Sequence, residues 1–79
     1  MLLEDAIATR IEQLCIERKM SKYDLFLKSG VPQTTLSSIK KKRSLSVKIG
    51  TLYAICEGFD ISFVQFFDSP LFQRSNLHD

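Results

Sequence analysis

The sequence predicts an all-α fold of five short helices packed into one compact domain. Apolar residues recur three and four positions apart along most of the chain, which is the period of an amphipathic helix. Several such stretches are preceded by residues that favour helix starts, namely Ser21, Pro32 and Ser62. Since 79 residues can bury only one core, we predict a single domain at residues 1–67, followed by a C-terminal tail at 68–79.

The composition excludes several classes of protein. With 44% hydrophobic and 25% charged residues, the chain is ordinary globular material rather than disordered. No apolar run approaches the roughly 20 residues that span a bilayer. The opening Met-Leu-Leu-Glu-Asp lacks the basic start of a secretory signal. We therefore expect a cytoplasmic protein with no membrane partner.

The first helix is predicted from about residue 3 to residue 19. Its apolar residues recur at helical spacing and should cover the back of the next two helices; they are Ile7, Ile11, Leu14 and Cys15. Arg10 could form an ion pair with a neighbouring acidic residue or reach a distant phosphate, and we favour the ion pair. Cys15 and Cys56 lie among apolar neighbours, which indicates buried, reduced thiols rather than a disulfide.

The second helix is predicted from Ser21 to about Ser29. Ser21 is a good N-cap, and Asp24, three residues later, completes the spacing of a capping box. Gly30 then supplies the left-handed residue that a sharp turn requires. Two short helices joined by a tight turn are therefore expected here.

The third helix is predicted at about residues 32–41, because Pro32 suits a helix start. Leu36 and Ile39 would face inward, so the opposite face carries short polar side chains and a lysine. These outward residues, with one in the first turn, are Gln33, Thr34, Ser37, Ser38 and Lys41. No acidic residue occurs between Leu25 and Cys56, which is unusual for a surface that meets only water.

The fourth and fifth helices are predicted at about residues 49–57 and 62–67. Ser62 and Gln65 have capping-box spacing at the start of the fifth. The expected buried side of the fourth consists of Ile49, Leu52, Tyr53, Ile55 and Cys56. For Tyr53, stacking on a partner is the alternative to a core position.

The basic residues are concentrated in one part of the chain. Between Arg18 and Lys48 there are nine basic residues and one acidic residue, a balance of +8, whereas the rest of the chain carries −6, which gives the net charge of +2. Such segregation is typical of a protein with one face for a polyanion. The basic run at 40–43 has two interpretations. It either binds DNA phosphates, or it is a solvated loop whose positive charges are favourable at the negative end of a helix dipole.

The residues from Ser21 to Ile39 resemble the helix-turn-helix of the Cro/cI-type (XRE) repressors. The resemblance is carried by the pattern Ser–x–x–x–Leu–x–x–x–Ser–Gly–Val–x–x–x–Thr–Leu–Ser–x–Ile and extends over residues 7–67. It implies a lambda-repressor-like domain in which helix 3 enters the DNA major groove. It also implies base contacts by Gln33, Thr34 and Ser38, with Ser37 a lesser candidate, and a phosphate contact by Lys22.

The sequence therefore predicts a sequence-specific regulator of transcription that binds double-stranded DNA and acts as a repressor by occluding a promoter. Since one such helix reads only a few base pairs, we expect a homodimer on a roughly palindromic site. The residues expected to neutralise phosphates are Lys22, Lys40, Lys41, Lys42 and Arg43.

The alternative function is that of an antitoxin or adaptor that uses the same fold to hold a protein partner. Leu71 and Phe72 in the tail would be its contact surface, although the tail could equally be a frayed end or a dimer contact. An enzyme is the poorest hypothesis, since no Gly-rich phosphate loop and no catalytic set of side chains can be recognised. No cofactor is expected, and a chain whose only histidine is His78 offers a poor set of metal ligands.

Overall fold

The computed structural model describes residues 1–41 and 47–77, with Lys40 described by its backbone alone. These residues form five α-helices and two short 3-10 turns, and they contain no β-strand. The helices are α1 (Leu3–Glu17), α2 (Lys22–Ser29), α3 (Gln33–Lys40), α4 (Ile49–Gly58) and α5 (Phe63–Phe67), and the turns are Pro70–Phe72 and Arg74–Asn76. The predicted all-α fold of five helices is confirmed.

The starts of α2 and α5 are both closed by capping boxes, as the sequence predicted. The Ser21 hydroxyl accepts from the Asp24 amide at 3.1 Å, and the Asp24 carboxylate accepts from the Ser21 amide at 2.9 Å. Ser62 and Gln65 repeat the arrangement at 3.1 and 2.9 Å. Each box satisfies two amides that have no partner inside the helix, so these two helices begin at defined residues.

The core is built from apolar side chains of all five helices and of the turn after α2. The largest fully buried side chains are Phe59, Phe66, Leu25, Ile55 and Cys56. Within the described ranges, no helix combines the length and the apolar character needed to cross a bilayer. The same residues bring together no group of three His, Cys, Asp or Glu side chains that could hold a metal ion.

The ends of α2 and α4 pack closely because Gly58 has no side chain. A Cβ atom placed on Gly58 would lie 2.9 Å from the Cβ and 3.2 Å from the Cα of Ser29, and 3.1 Å from the Leu25 Cδ1. Real Cβ atoms almost never approach another heavy atom within 3.0 Å. This close approach joins the helix-turn-helix to the remainder of the core.

The buried side of α4 is narrower than the sequence predicted. Leu52, Ile55 and Cys56 are buried, but Ile49 is 72% exposed and Tyr53 is 54% exposed, so the core positions expected for these two were wrong. Ile49 lies in the first turn of α4, before the helix reaches the core. Tyr53 faces α5, where its ring packs edge-on against Phe63 with centroids 5.6 Å apart.

Arg10 caps the end of α5, which is neither the ion pair nor the phosphate contact that the sequence suggested for it. Its Nε donates to the Phe66 carbonyl at 2.7 Å, and its Nη2 donates to the Gln65 carbonyl at 2.9 Å. Carbonyl oxygens in the last turn of a helix have no amide donor within that helix. A cation is also favoured at this end of the helix dipole, so the guanidinium is well matched to its position.

The segment after α5 folds back onto the domain. Phe72 is half-buried, with its ring centroid 6.0 Å from that of Phe66 and 4.8 Å from that of Phe67. The Asn76 side-chain amide donates to the Pro70 carbonyl at 2.6 Å. Up to residue 77, this segment is therefore packed on the domain and is not a frayed end. The division into a domain of 1–67 and a tail of 68–79 stays a prediction.

The two cysteines are thiols rather than a disulfide, as predicted, but only one of them is fully buried. Burial raises the pKa of the Cys56 thiol. Cys15 is half-buried and lines a largely apolar cavity of about 340 Å³ between α1 and the helix-turn-helix. Cys15 therefore packs against the core as predicted but is only partly buried, whereas a buried thiol was expected.

Candidate nucleic-acid interface

The turn between α2 and α3 is determined by Gly30 and Ser29. Gly30 has a left-handed φ of +76°, which side chains disfavour, and its amide donates to the Phe26 carbonyl at 2.9 Å. The Ser29 hydroxyl accepts from the Val31 amide at 3.1 Å, and Val31 is buried in the corner. These contacts define the angle between the two helices of the motif.

The recognition helix α3 is slightly shorter than the predicted span of 32–41. Pro32 is the N-cap, with extended backbone (φ −55°, ψ 144°), and Lys41 is the C-cap. Pro32 therefore precedes the helix instead of forming its first residue. Leu36 and Ile39 are buried, which orients the opposite face of α3 away from the core.

The four predicted base-reading side chains lie on or beside this outward face. Thr34 is exposed, while Gln33, Ser37 and Ser38 are each partly exposed. At about 100° per residue, Thr34, Ser37 and Ser38 lie opposite the buried pair Leu36 and Ile39, and Gln33 lies at one side. The arrangement is short, polar and free of carboxylates.

Two hydrogen bonds organise the hydroxyl groups of this face. The Lys22 Nζ, from the start of α2, donates to the Ser37 Oγ at 2.6 Å. The Ser38 Oγ donates to the Thr34 carbonyl, one turn earlier, at 3.0 Å. Lys22 therefore contacts a residue on the recognition helix, which the sequence did not predict.

Positive charge lies at both ends of the motif. Lys22 is exposed at the start of α2, and Lys41 is exposed at the end of α3. The predicted phosphate contacts at Lys42 and Arg43 lie outside the described residues, as does the side chain of Lys40.

Asp24, the one acidic residue between Arg18 and Lys48, is held within the cap of α2. The Ser21 backbone amide, and then the Ser21 hydroxyl, hold the pKa of the Asp24 carboxyl below its ordinary value. Its negative charge is therefore used to close the helix start, where the helix dipole also favours an anion.

Thr35 is a further polar residue of the recognition helix, and it is not among the predicted base contacts. It is half-exposed and lies between Thr34 and the buried Leu36. Its flanking position follows from the helical period once Leu36 and Ile39 are known to be buried. The sequence feature that could have identified Thr35 as a candidate is its hydroxyl group within the first two turns of the recognition helix.

Comparison with known proteins agrees with this geometry. The chain matches the Cro/C1-type HTH DNA-binding domain family over residues 10–69. No curated protein matches. Among solved structures, the wild-type restriction-modification controller protein C.Esp1396I is similar, with a TM-score of 0.77 and 29% identity over 86% of this chain and 87% of that one. A tyrosine-to-phenylalanine mutant of that controller gives a TM-score of 0.80 at 28% identity, over 86% and 85% of the two chains.

The family match covers most of the chain and includes the whole helix-turn-helix, from before α2 to beyond α5. The structural matches extend over nearly the same share of both proteins. The chain therefore belongs to the Cro/C1-type helix-turn-helix DNA-binding family, and it is a DNA-binding transcriptional regulator.

Proposed function

We propose that this regulator is a sequence-specific repressor that binds double-stranded DNA as a homodimer, with α3 in the major groove. The observation that supports the proposal best is the outward face of α3. It combines exposed Thr34 with partly exposed Gln33, Ser37 and Ser38, and Lys22 and Lys41 lie at its rim. A helix of this kind fits the major groove, where base edges offer distinct donors and acceptors.

The proposed base contacts follow from the chemistry of each side chain. Gln33, in the first turn of α3, can bond adenine N6 and N7 in a bidentate manner. Thr34 can meet a thymine methyl group or a phosphate. Ser37 and Ser38 offer single hydroxyl contacts, so we assign them smaller shares of the discrimination.

The proposed phosphate contacts would supply affinity that is independent of sequence. Lys22 and Lys41 flank the recognition helix in the structure. Lys40, Lys42 and Arg43 are assigned to phosphates by the sequence pattern alone. Each cation that neutralises a phosphate releases counterions, so the affinity should fall steeply with salt.

An apolar surface on α4 and α5 is the proposed junction between two copies. This α4–α5 surface consists of Ile49, Tyr53, Val64 and Phe67. Val64 is 80% exposed and Phe67 is also exposed, and ring contacts from Tyr53 to Phe63 and from Phe63 to Phe67 connect the two helices across the aromatic part of the surface. Exposed apolar surface of this kind is typical of sites where proteins associate. A dimer would also present a second recognition helix to the DNA, and two helices together read enough base pairs for specific binding.

Repression by steric occlusion of a promoter is the simplest outcome for a DNA-binding domain of this size, and we propose no enzymatic step. Because its ligand is DNA, we place the protein in the cytoplasm. The likeness to a restriction-modification controller protein makes the control of a restriction-modification system the first setting to examine. An antitoxin or adaptor role through the tail is less well supported, since Leu71 and Phe72 are both half-buried.

The test is to select bound sites from random double-stranded DNA and to compare the wild type with the double variant Gln33→Ala, Thr34→Ala at fixed salt. We expect an enriched inverted repeat for the wild type. The variant should lose most of the base preference, keep the smaller share assigned to Ser37 and Ser38, and retain non-specific binding. An unchanged preference in the variant would show that another part of the molecule reads the bases.

A further inference from the structure

We propose that Lys22 helps to determine DNA specificity by positioning the Ser37 hydroxyl. The Lys22 ammonium orients this hydroxyl as a hydrogen-bond donor to a DNA base, and it also contacts a phosphate. The inference rests on the proposed function, because it concerns how α3 reads base edges. It departs from the sequence analysis, which assigned Lys22 to phosphate binding alone.

The geometry of the contact determines which partner donates. The Lys22 Nζ lies 2.6 Å from the Ser37 Oγ, and an ammonium group has three donors and no acceptor. The Ser37 oxygen therefore accepts this bond, and its own hydrogen is left to point elsewhere. Since Ser37 is partly exposed on the outward side of α3, that hydrogen is available to an acceptor in the groove.

Ser38 has the opposite polarity. Its hydroxyl donates to the Thr34 carbonyl at 3.0 Å, so its lone pairs are what remains for a partner. Two adjacent serines thus present a donor and an acceptor. In the major groove, the Ser37 donor matches purine N7, guanine O6 or thymine O4, whereas the Ser38 acceptor matches the amino groups of cytosine or adenine.

The position of Lys22 is poorly suited to a purely structural role. Lys22 is the first residue of α2, where the positive end of the helix dipole disfavours a cation. Its ammonium uses one donor on Ser37, which leaves two for a phosphate oxygen. A single side chain can therefore join the phosphate that orients the protein to the hydroxyl that reads a base.

The test uses four single variants of the whole chain, each characterised by selection of bound sites and by affinity against salt concentration. Lys22→Met removes the charge and the donors, Lys22→Arg keeps both, and Ser37→Ala removes the hydroxyl. Lys28→Met is the matched control, because Lys28 is an exposed lysine in the last turn of the same helix.

We expect Lys22→Met and Ser37→Ala to lose the same base preference, by about five- to tenfold at one position of each half-site. A fifth variant that combines Lys22→Met with Ser37→Ala should lose no more discrimination than either single variant, and Lys22→Arg should retain the discrimination. Lys22→Met should also flatten the slope of log affinity against log salt by roughly one unit, whereas Ser37→Ala should leave that slope unchanged. Lys28→Met should leave the base preference unaltered.

Replacing the purine at that position by its 7-deaza analogue provides an independent check, if the selected base is a purine read at N7. The wild type should bind the analogue about five- to tenfold more weakly, and Ser37→Ala should bind both sites alike. A wild type that binds the two sites equally would show that N7 is not the acceptor, and would overturn this assignment.

Three results would overturn the inference. If Lys22→Met weakens binding to all sequences equally while Ser37→Ala alters the preference, Lys22 contacts phosphate only. If Lys28→Met alters the preference as Lys22→Met does, the effect comes from net charge. A wild type that selects no site at all would overturn the proposed function as well, which distinguishes that failure from the other two.

Discussion

The guanidinium of Arg10 in α1 is hydrogen bonded to the carbonyl oxygen of Phe66 in α5, with 2.7 Å between Nε and O. The two residues are 56 positions apart in the chain. Since α5 has only five residues, it is far too short to be stable without tertiary contacts. Arg10 connects the end of this helix to α1, and the buried Phe66 anchors the helix in the core.

Replacing Arg10 by Met should therefore lower the free energy of unfolding by about 1.5–3 kcal/mol, since hydrogen bonds from a charged group to carbonyls are lost. Urea denaturation measures the change. Arg18→Met is the matched control, because Arg18 is an exposed arginine at the C-terminal cap of α1, and we expect less than about 0.5 kcal/mol there. Equal losses in the two variants would contradict a capping role for Arg10.

The two glycines of α4 should respond in opposite directions to substitution by Ala. At Gly58 a Cβ would lie 2.9 Å from the Ser29 Cβ, so Gly58→Ala should destabilise the protein by about 1–3 kcal/mol. At Gly50 nothing lies within 4 Å, so Gly50→Ala should stabilise it by up to about 1 kcal/mol. Thermal unfolding of the two variants measures both effects, and stabilisation by Gly58→Ala would refute the close packing of α2 on α4.

The cap of α2 should make stability depend on acid pH. The pKa of Asp24 is lowered on folding from an ordinary value of 3.8, so its contribution is present above that value and is lost as the pH falls through the lowered pKa. Asp24→Asn should remove this part of the pH dependence, as measured by urea unfolding at a series of acid pH values.

Ser21→Ala provides the control for that experiment. The largest cause of the lowered pKa is the Ser21 backbone amide, ahead of its hydroxyl. The alanine variant retains the amide and should therefore keep most of the pH dependence, although it loses the hydroxyl that caps the helix. A pH dependence abolished in Ser21→Ala would assign the effect to the hydroxyl instead.

The α4–α5 surface should control the oligomeric state. Val64→Glu places a charge on this surface, and we expect it to convert the proposed dimer to a folded monomer, because burying an unpaired carboxylate is costly. Sedimentation equilibrium measures the change. Leu27→Glu, at an exposed leucine of α2, adds the same charge outside the surface and should leave the dimer intact. A dimer unaffected by Val64→Glu would place the junction elsewhere.

The parts of the fold that depend on neighbouring residues could be predicted from sequence. Both capping boxes and the left-handed Gly30 involve side chains within a few positions of the groups they satisfy, so their spacing is visible in the chain. The outward face of α3 was equally visible, because Leu36 and Ile39 define its period.

The parts that failed depend on the placement of distant elements. Periodicity assigns Tyr53 to the apolar side of α4, but only the folded structure shows that its ring is largely exposed and has Phe63 of α5 as its neighbour. Similarly, the chain sequence does not reveal that Arg10 reaches the end of α5. The bond from Lys22 to Ser37 requires the angle between α2 and α3 to be known.

The absence of a side chain at Gly58 has a consequence for the spacing of DNA sites. In a dimer joined at the α4–α5 surface, one route from that junction to α3 runs through α2, which lies against α4 with no room for a methyl group at Gly58. The distance between the junction and α3 should therefore be fixed, so the dimer cannot adjust to half-sites at a different spacing. One base pair inserted between half-sites, which turns one of them by about 34° around the duplex axis and shifts it by about 3.4 Å, should therefore be rejected by an otherwise unaltered protein.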